Sequence, residues 1–221
     1  MSQEEFDDWY NVKNKSLKTI TPKYISIMSG QDETPYQRKL RMIEQLSLSC
    51  ISCSMCDLGT KPAINGKEHR DPHVLSNCNP KEFMIVGQNP GWPEIKKRSM
   101  IADQKIFDDT LNEYSLSRED FYICNIVRCF SNESITIDQK KKCEPFLRME
   151  LNLIKPFLVI TIGENVHSQF CPGVNFEESL LSITKSSRYG VKVFAIDDVS
   201  NKVHVKKMCK LVNAAKNKKG L

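Results

Sequence analysis

The sequence predicts an α/β fold: a three-layer α/β/α arrangement around a four-stranded, mostly parallel central sheet. Two observations carry this. Four short runs are apolar almost throughout, as strands covered on both faces are. Segments with helical apolar spacing alternate with them, the pattern of a parallel sheet joined by crossover helices. With 221 residues and 40% hydrophobic content, the chain can bury one sizeable core. Residues 36–215 are read as that domain. Residues 1–35 are read as a peripheral N-terminal extension, and 216–221 as a basic C-terminal tail.

The elements follow in order. Tyr36 to Ser49 places Leu40, Ile43, Leu46 and Leu48 near helical spacing, with charged residues between them. Asp57 to Pro80 is rich in Gly, Pro and Asn, and is read as an irregular excursion with a short edge strand near residues 61–64. Lys81 to Gly87 is the first strand, ended abruptly by Asn89-Pro90-Gly91. Gly91 to Met100 is read as loop, and Asp103 to Tyr114 as a helix. Phe121 to Val127 is the second strand. Asp138 to Ile154 is a long helix, and Phe157 to Ile162 the third strand. Glu164 to Phe170 starts another helix, Val191 to Ile196 is the fourth strand, and Lys202 to Ala215 the closing helix.

In such a sheet, ligands bind beyond the carboxyl ends of the strands. Gln88 and Asn89 follow the first strand, Asn125 ends the second, Glu164 and Asn165 follow the third, and Asp197, Asp198 and Ser200 follow the fourth. Each could equally be a local cap or turn former. Their convergence on one edge is the stronger signal.

The formal charge of +5 suits a nucleic-acid ligand, and equally a Lys-rich solvated surface. No apolar run reaches membrane length. The acidic start at Met1 to Tyr10 has no signal-peptide pattern, so a cytoplasmic protein is expected, free of the membrane and monomeric. Nine cysteines are many for such a compartment, and the odd count argues against a closed disulfide framework. Cys53-Ser54-Met55-Cys56 is one close pair, and Cys129 with Cys143 a second. Two thiolate pairs suit either tetrahedral zinc or an iron–sulfur cluster. Cys50 is a competing ligand, the role of Cys78 is open, and Cys124, Cys171 and Cys209 sit in apolar or helical settings.

From about Ile43 to Lys210 the chain resembles the iron–sulfur uracil-DNA glycosylases, family 4 of the uracil-DNA glycosylase superfamily. The matching pieces appear in the family's order. They are Cys53-Ser54-Met55-Cys56-Asp57-Leu58, Phe83 to Gly91, Ser117 through Asn125 to Cys129, Cys143-Glu144-Pro145-Phe146-Leu147, and Ile154 to Gly163. The resemblance implies DNA as partner and a structural 4Fe-4S cluster on Cys53, Cys56, Cys129 and Cys143. It also implies base reading by Asn125. Asn89-Pro90-Gly91 is nearer the Asn-Pro-Gly form of the mismatch-specific and single-strand-selective branches of the superfamily, which implies water positioning by Asn89. Gly87, Gly91, Trp92 and Ser200 are assigned to substrate binding beside Asn125.

The chain departs from the family in its pocket. Gln88-Asn89-Pro90-Gly91 stands where family 4 has Glu-Ala-Pro-Gly, and Gln88 cannot act as a base. The family's pocket Phe is missing, with Ser99 and Met100 nearest, which leaves stacking to Trp92 or Phe107. The family's His-Pro-Ser becomes Asp198-Val199-Ser200, and an ionised Asp accepts hydrogen bonds only. Two readings follow. One is a glycosylase for a uracil-like or modified pyrimidine. The other is a glycosylase-fold protein that binds DNA or modifies a base without ordinary uracil excision.

Overall fold

The computed structural model describes residues 34–60, 81–97 and 99–219. The readings for residues 1–33, the strand near 61–64 and Cys78 lie outside the described residues. The first helix, α1 (Pro35–Ile51), is started by Thr34, whose hydroxyl accepts the Gln37 N–H while the Gln37 side chain accepts the Thr34 N–H. A four-residue turn of helix follows, α2 (Asp57–Thr60). Then come β1 (Phe83–Gly87), α3 (Trp92–Lys97) and α4 (Lys105–Glu113). After them lie β2 (Phe121–Asn125), α5 (Ile137–Ile154) and β3 (Leu158–Ile162). The chain continues through α6 (Glu164–Phe170), α7 (Phe176–Ser179), β4 (Ile183–Lys185), β5 (Lys192–Ile196) and α8 (Lys202–Lys219).

The sheet order is β2-β1-β3-β5-β4, with β4 antiparallel at the edge and the other pairs parallel. The sheet thus has five strands rather than four. The missed strand is three residues long, flanked by serines, and exposes Ile183. It lacks the apolar run that marks a strand covered on both faces.

Alternation along the strands sorts their side chains into two cores. Met84, Val86, Tyr122 and Cys124 face a layer with residues of α1, α5 and α6. Phe83, Ile85, Phe121 and Ile123 face a layer with residues of α4 and α8. Two other boundaries differ from the sequence reading. Residues 92–97 form α3 rather than loop, with Ile95 fully buried. The closing helix runs on through Lys219, and Lys216 donates to Asp120 at 2.5 Å, tying the helix back to the start of β2. No described helix is long and apolar enough to cross a membrane.

Two core residues, Thr161 and His167, hold buried polar side-chain atoms with no hydrogen-bond partner among the described residues. His167 on α6 is fully buried against Phe176, and neither ring nitrogen has a hydrogen-bond partner among the described residues. Burial holds its pKa below the ordinary 6.5. The unfolded chain therefore takes up this proton before the folded one as pH falls. The stability tied to the neutral ring is complete above the unfolded value and is lost progressively below it. Thermal melts across a pH series should show that slope in the wild type. It should flatten in His167→Phe, and an equal slope in both would refute this origin.

Candidate functional site

Backbone pairing between the first two strands does not stop at their ends. Ile126 N–H donates to Gly87 O, and Val127 N–H donates to Gln88 O, both at 2.9 Å. The loop after β1 is thereby held beside the segment after β2, and Gln88 and Asn89 are carried to the level of Asn125. Gly87 lies opposite Asn125 in the register, in very close approach. A Cβ at Gly87 would stand 2.4 Å from Asn125 Oδ1, so any side chain there would push the Asn125 carboxamide from its place.

A cavity of about 300 Å³ opens at this edge. It brings together Gly87, Gln88, Asn89, Gly91, Asn125 and Asp198, six of the eight pocket residues expected from sequence. Trp92 and Ser200 are not among its lining. Trp92 packs instead on Phe130, ring centroids 5.8 Å apart. Ser200 is exposed, and its N–H donates to Asp198 Oδ1 at 2.7 Å. Asp198 thus both lines the cavity and caps its own turn. Asn125 is buried, with Nδ2 3.9 Å from the Met100 sulfur. The Asn89 carboxamide donates to Pro90 O at 3.2 Å and Ser131 O at 3.5 Å, so its amide end is committed to backbone and its Oδ1 remains an acceptor.

Two residues that sequence reasoning missed build the opposite wall. Glu94 accepts the Gly91 N–H at 2.5 Å and the Ile101 N–H at 2.7 Å. Burial raises its pKa despite these two bonds and the nearby Arg118 charge. Arg118 donates to both the Met100 and Ile101 carbonyls and is itself held by Asp108 at 2.6 and 2.8 Å. The segment bearing Met100 and Ile101 is therefore gripped through N–H on one side and C=O on the other. The signal for Glu94 was present: an acid three residues beyond Gly91, at the third position of α3, is where a helix start is capped. Arg118 had no such local signature.

At the end of β5, His204 pairs through Nδ1 with Asp197 Oδ1 at 2.5 Å. Burial would raise the Asp197 pKa, but hydrogen bonds from Asn201, the Asp198 N–H and His204 outweigh it and hold it below the ordinary value. Neither His204 nor His167 lines the cavity.

The cysteines form a second site. Cys50, Cys53, Cys56, Cys129 and Cys143 all line one small cavity with Met55, Val127, Arg128, Lys142 and Phe146. None of the eight described cysteines is in a disulfide. Cys124, Cys171 and Cys209 are buried away from this cavity, in the cores, as their settings implied. The segments are stitched together by Gln139, which accepts the Thr136 N–H at the head of α5 and donates to both Asp57 oxygens at 3.0 and 3.2 Å. Burial pushes the Cys143 thiol up to about 12, against the opposing charge and N–H of Arg128. Among the described residues, no three Cys, His, Asp or Glu side chains are grouped closely enough to hold a single metal ion.

Residues 75–217 match the family model described as the Uracil DNA glycosylase superfamily. A type-4 uracil-DNA glycosylase of Archaeoglobus fulgidus is 27% identical over 171 residues, covering 75% of this chain and 79% of that one. Those of Thermotoga maritima and Sulfurisphaera tokodaii are 25% and 30% identical over 150 and 149 residues. They cover 66% and 65% of this chain, and 70% and 63% of their own lengths.

The Gly87–Asn125 contact has a direct test. Gly87→Ala should lower stability by about 1–3 kcal/mol through overpacking and turn the Asn125 carboxamide out of its place. A variant that melts like the wild type, with Asn125 unmoved in a crystal structure, would contradict this account.

Proposed function

The chain belongs to the Uracil DNA glycosylase superfamily and is a DNA glycosylase, and from that premise we propose that it excises a uracil-like or modified pyrimidine from DNA, leaving an abasic site. The observation that carries the reading is the meeting of Gln88, Asn89, Asn125 and Asp198 in one cavity at the carboxyl edge of the sheet. Its volume, about 300 Å³, is at the lower end of small-ligand pockets, in keeping with a single base turned out of the duplex.

Each role follows from side-chain chemistry. A carboxamide offers both donor and acceptor, so Asn125 reads the base edge. Asn89, its amide committed to Pro90 and Ser131, offers Oδ1 to the water that attacks the sugar carbon. Gln88 contributes polarity and no base. Charge that develops on the departing pyrimidine needs donors. Asp198 supplies none, but accepts from an amino or hydroxyl group on the base. Met100 in the wall presents a pliable thioether in place of a flat ring. These two residues favour a substituted pyrimidine over plain uracil as the preferred base.

The five-thiol cavity fits a metal group by the chemistry of its donors. Thiolates suit zinc or an iron–sulfur cluster alike; with the resemblance to the iron–sulfur family as premise, Cys53, Cys56, Cys129 and Cys143 are the proposed ligands of a 4Fe-4S cluster. When bound, it would cross-link the segment after α1, the segment after β2 and α5. Loading must also remove the tightly held Cys143 proton, so assembly should release protons.

The test is a panel of oligonucleotides carrying uracil, hydroxymethyl and glycosylated pyrimidines, assayed for abasic sites with the iron-loaded protein. Release from at least one substrate is expected, and Asn89→Ala should slow it about 100-fold or more. Asp198→His should raise uracil release, since one such donor is worth about 10²–10³ in rate. DNA binding without release from any member of the panel would favour the non-excising alternative. The purified protein should be brown and contain iron; zinc without iron would end the cluster reading.

A further inference from the structure

Directly beneath the thiol cavity lies an ion pair that neither the pocket chemistry nor the ligand set uses. Arg128 is 2% exposed and Glu150 is 1% exposed. Glu150 accepts from the guanidinium through Oε2 and from the Tyr122 hydroxyl through Oε1 at 2.8 Å. Arg128 lines the thiol cavity, and its own backbone N–H donates to Cys143 Sγ at 3.4 Å. Glu150 and Cys143 are seven residues apart on α5, two helical turns along one face. The Arg128 side chain therefore runs along α5 from the thiol to the carboxylate, and its neighbour Cys129 lines the same cavity.

Burying this pair is expensive. Taking two ions out of water costs several kcal/mol each, and apolar replacements of such pairs often stabilise the fold. A cation kept at such cost beside thiols makes sense if those thiols are anionic in the working protein. Four thiolates on a 4Fe-4S core leave a net negative charge in a low-dielectric interior, and a fixed guanidinium offsets it. Glu150 and Tyr122 hold the guanidinium in place and stop it from turning to solvent.

We propose that Arg128 is a charge-compensating positioning residue for the cluster, with Glu150 and Tyr122 as its anchor. The proposal rests on the cluster reading above. Net charge and hydrogen bonds to sulfur set both cluster retention and reduction potential. Arg128, not Glu150, lines the thiol cavity, so neutralising the pair takes away its nearer, positive end at unchanged net charge; the potential should fall and iron loss quicken.

The experiment compares the full-length iron-loaded wild type with Arg128→Met/Glu150→Gln, which removes both charges and strands neither. Iron release to a chelator should quicken about 10-fold or more, and the reduction potential should fall, at unchanged far-ultraviolet circular dichroism. Arg128→Lys, which keeps the charge, should retain most of the iron. Unchanged release and potential in a folded double variant would overturn the proposal, as would a lysine variant that loses iron equally fast. If the double variant does not fold, Tyr122→Phe decides: it keeps both charges and removes the hydroxyl that holds Glu150, so iron release should quicken, and release at the wild-type rate refutes the idea. Iron-free wild-type protein would sink the cluster reading itself. An iron-loaded wild type with indifferent variants would sink only this inference.

Discussion

The site hangs on the contact between Gly87 and Asn125. Parallel pairing of β1 with β2 sets these residues opposite each other, and the missing Cβ lets the carboxamide lie against the backbone. The next two backbone hydrogen bonds, to Gly87 O and Gln88 O, carry the pairing into the loops. Gln88 is thus fixed by main chain, and the Asn89 carboxamide adds a tether to Ser131 O beyond β2.

Much of this was legible in the sequence, for a physical reason. Strands buried on both faces must be apolar throughout, so β1, β2, β3 and β5 announced themselves, and the residues that follow strands of a parallel sheet share one edge. The exposed β4 carries no such demand and was invisible. The helix at Trp92–Lys97 hides behind a turn dipeptide and a proline, and buries only Ile95. The cavity wall made by Glu94 and Arg118 depends on contacts across the fold, from α3 to the segment before β2. Spacing along the chain does not record these contacts. Trp92 was misplaced for a similar reason: proximity in sequence to Gly91 is not proximity to the cavity once the helix turns its ring toward Phe130.

The thiol cavity shows a second kind of organisation. Its cysteines come from three distant segments, and the polar stitch from Asp57 to Gln139 joins two of them by protein contacts alone. Gln139 serves twice, as the helix-capping partner of Thr136 and as the donor to Asp57. The start of α5 and the cysteine pair before α2 are therefore set relative to one another by one side chain, while the buried Arg128–Glu150 pair engages the same helix farther along.

The double grip on the Met100–Ile101 segment bears on how the pocket discriminates. Glu94 holds its N–H, Arg118 holds its carbonyls, and Ile101 sits in a left-handed backbone conformation that few alternatives would preserve. A wall held from both sides in this way carries its ordering cost in folding. Under the proposed function, the aperture is then set before DNA is met, and a base would be selected by its outline rather than by closure of the wall around it.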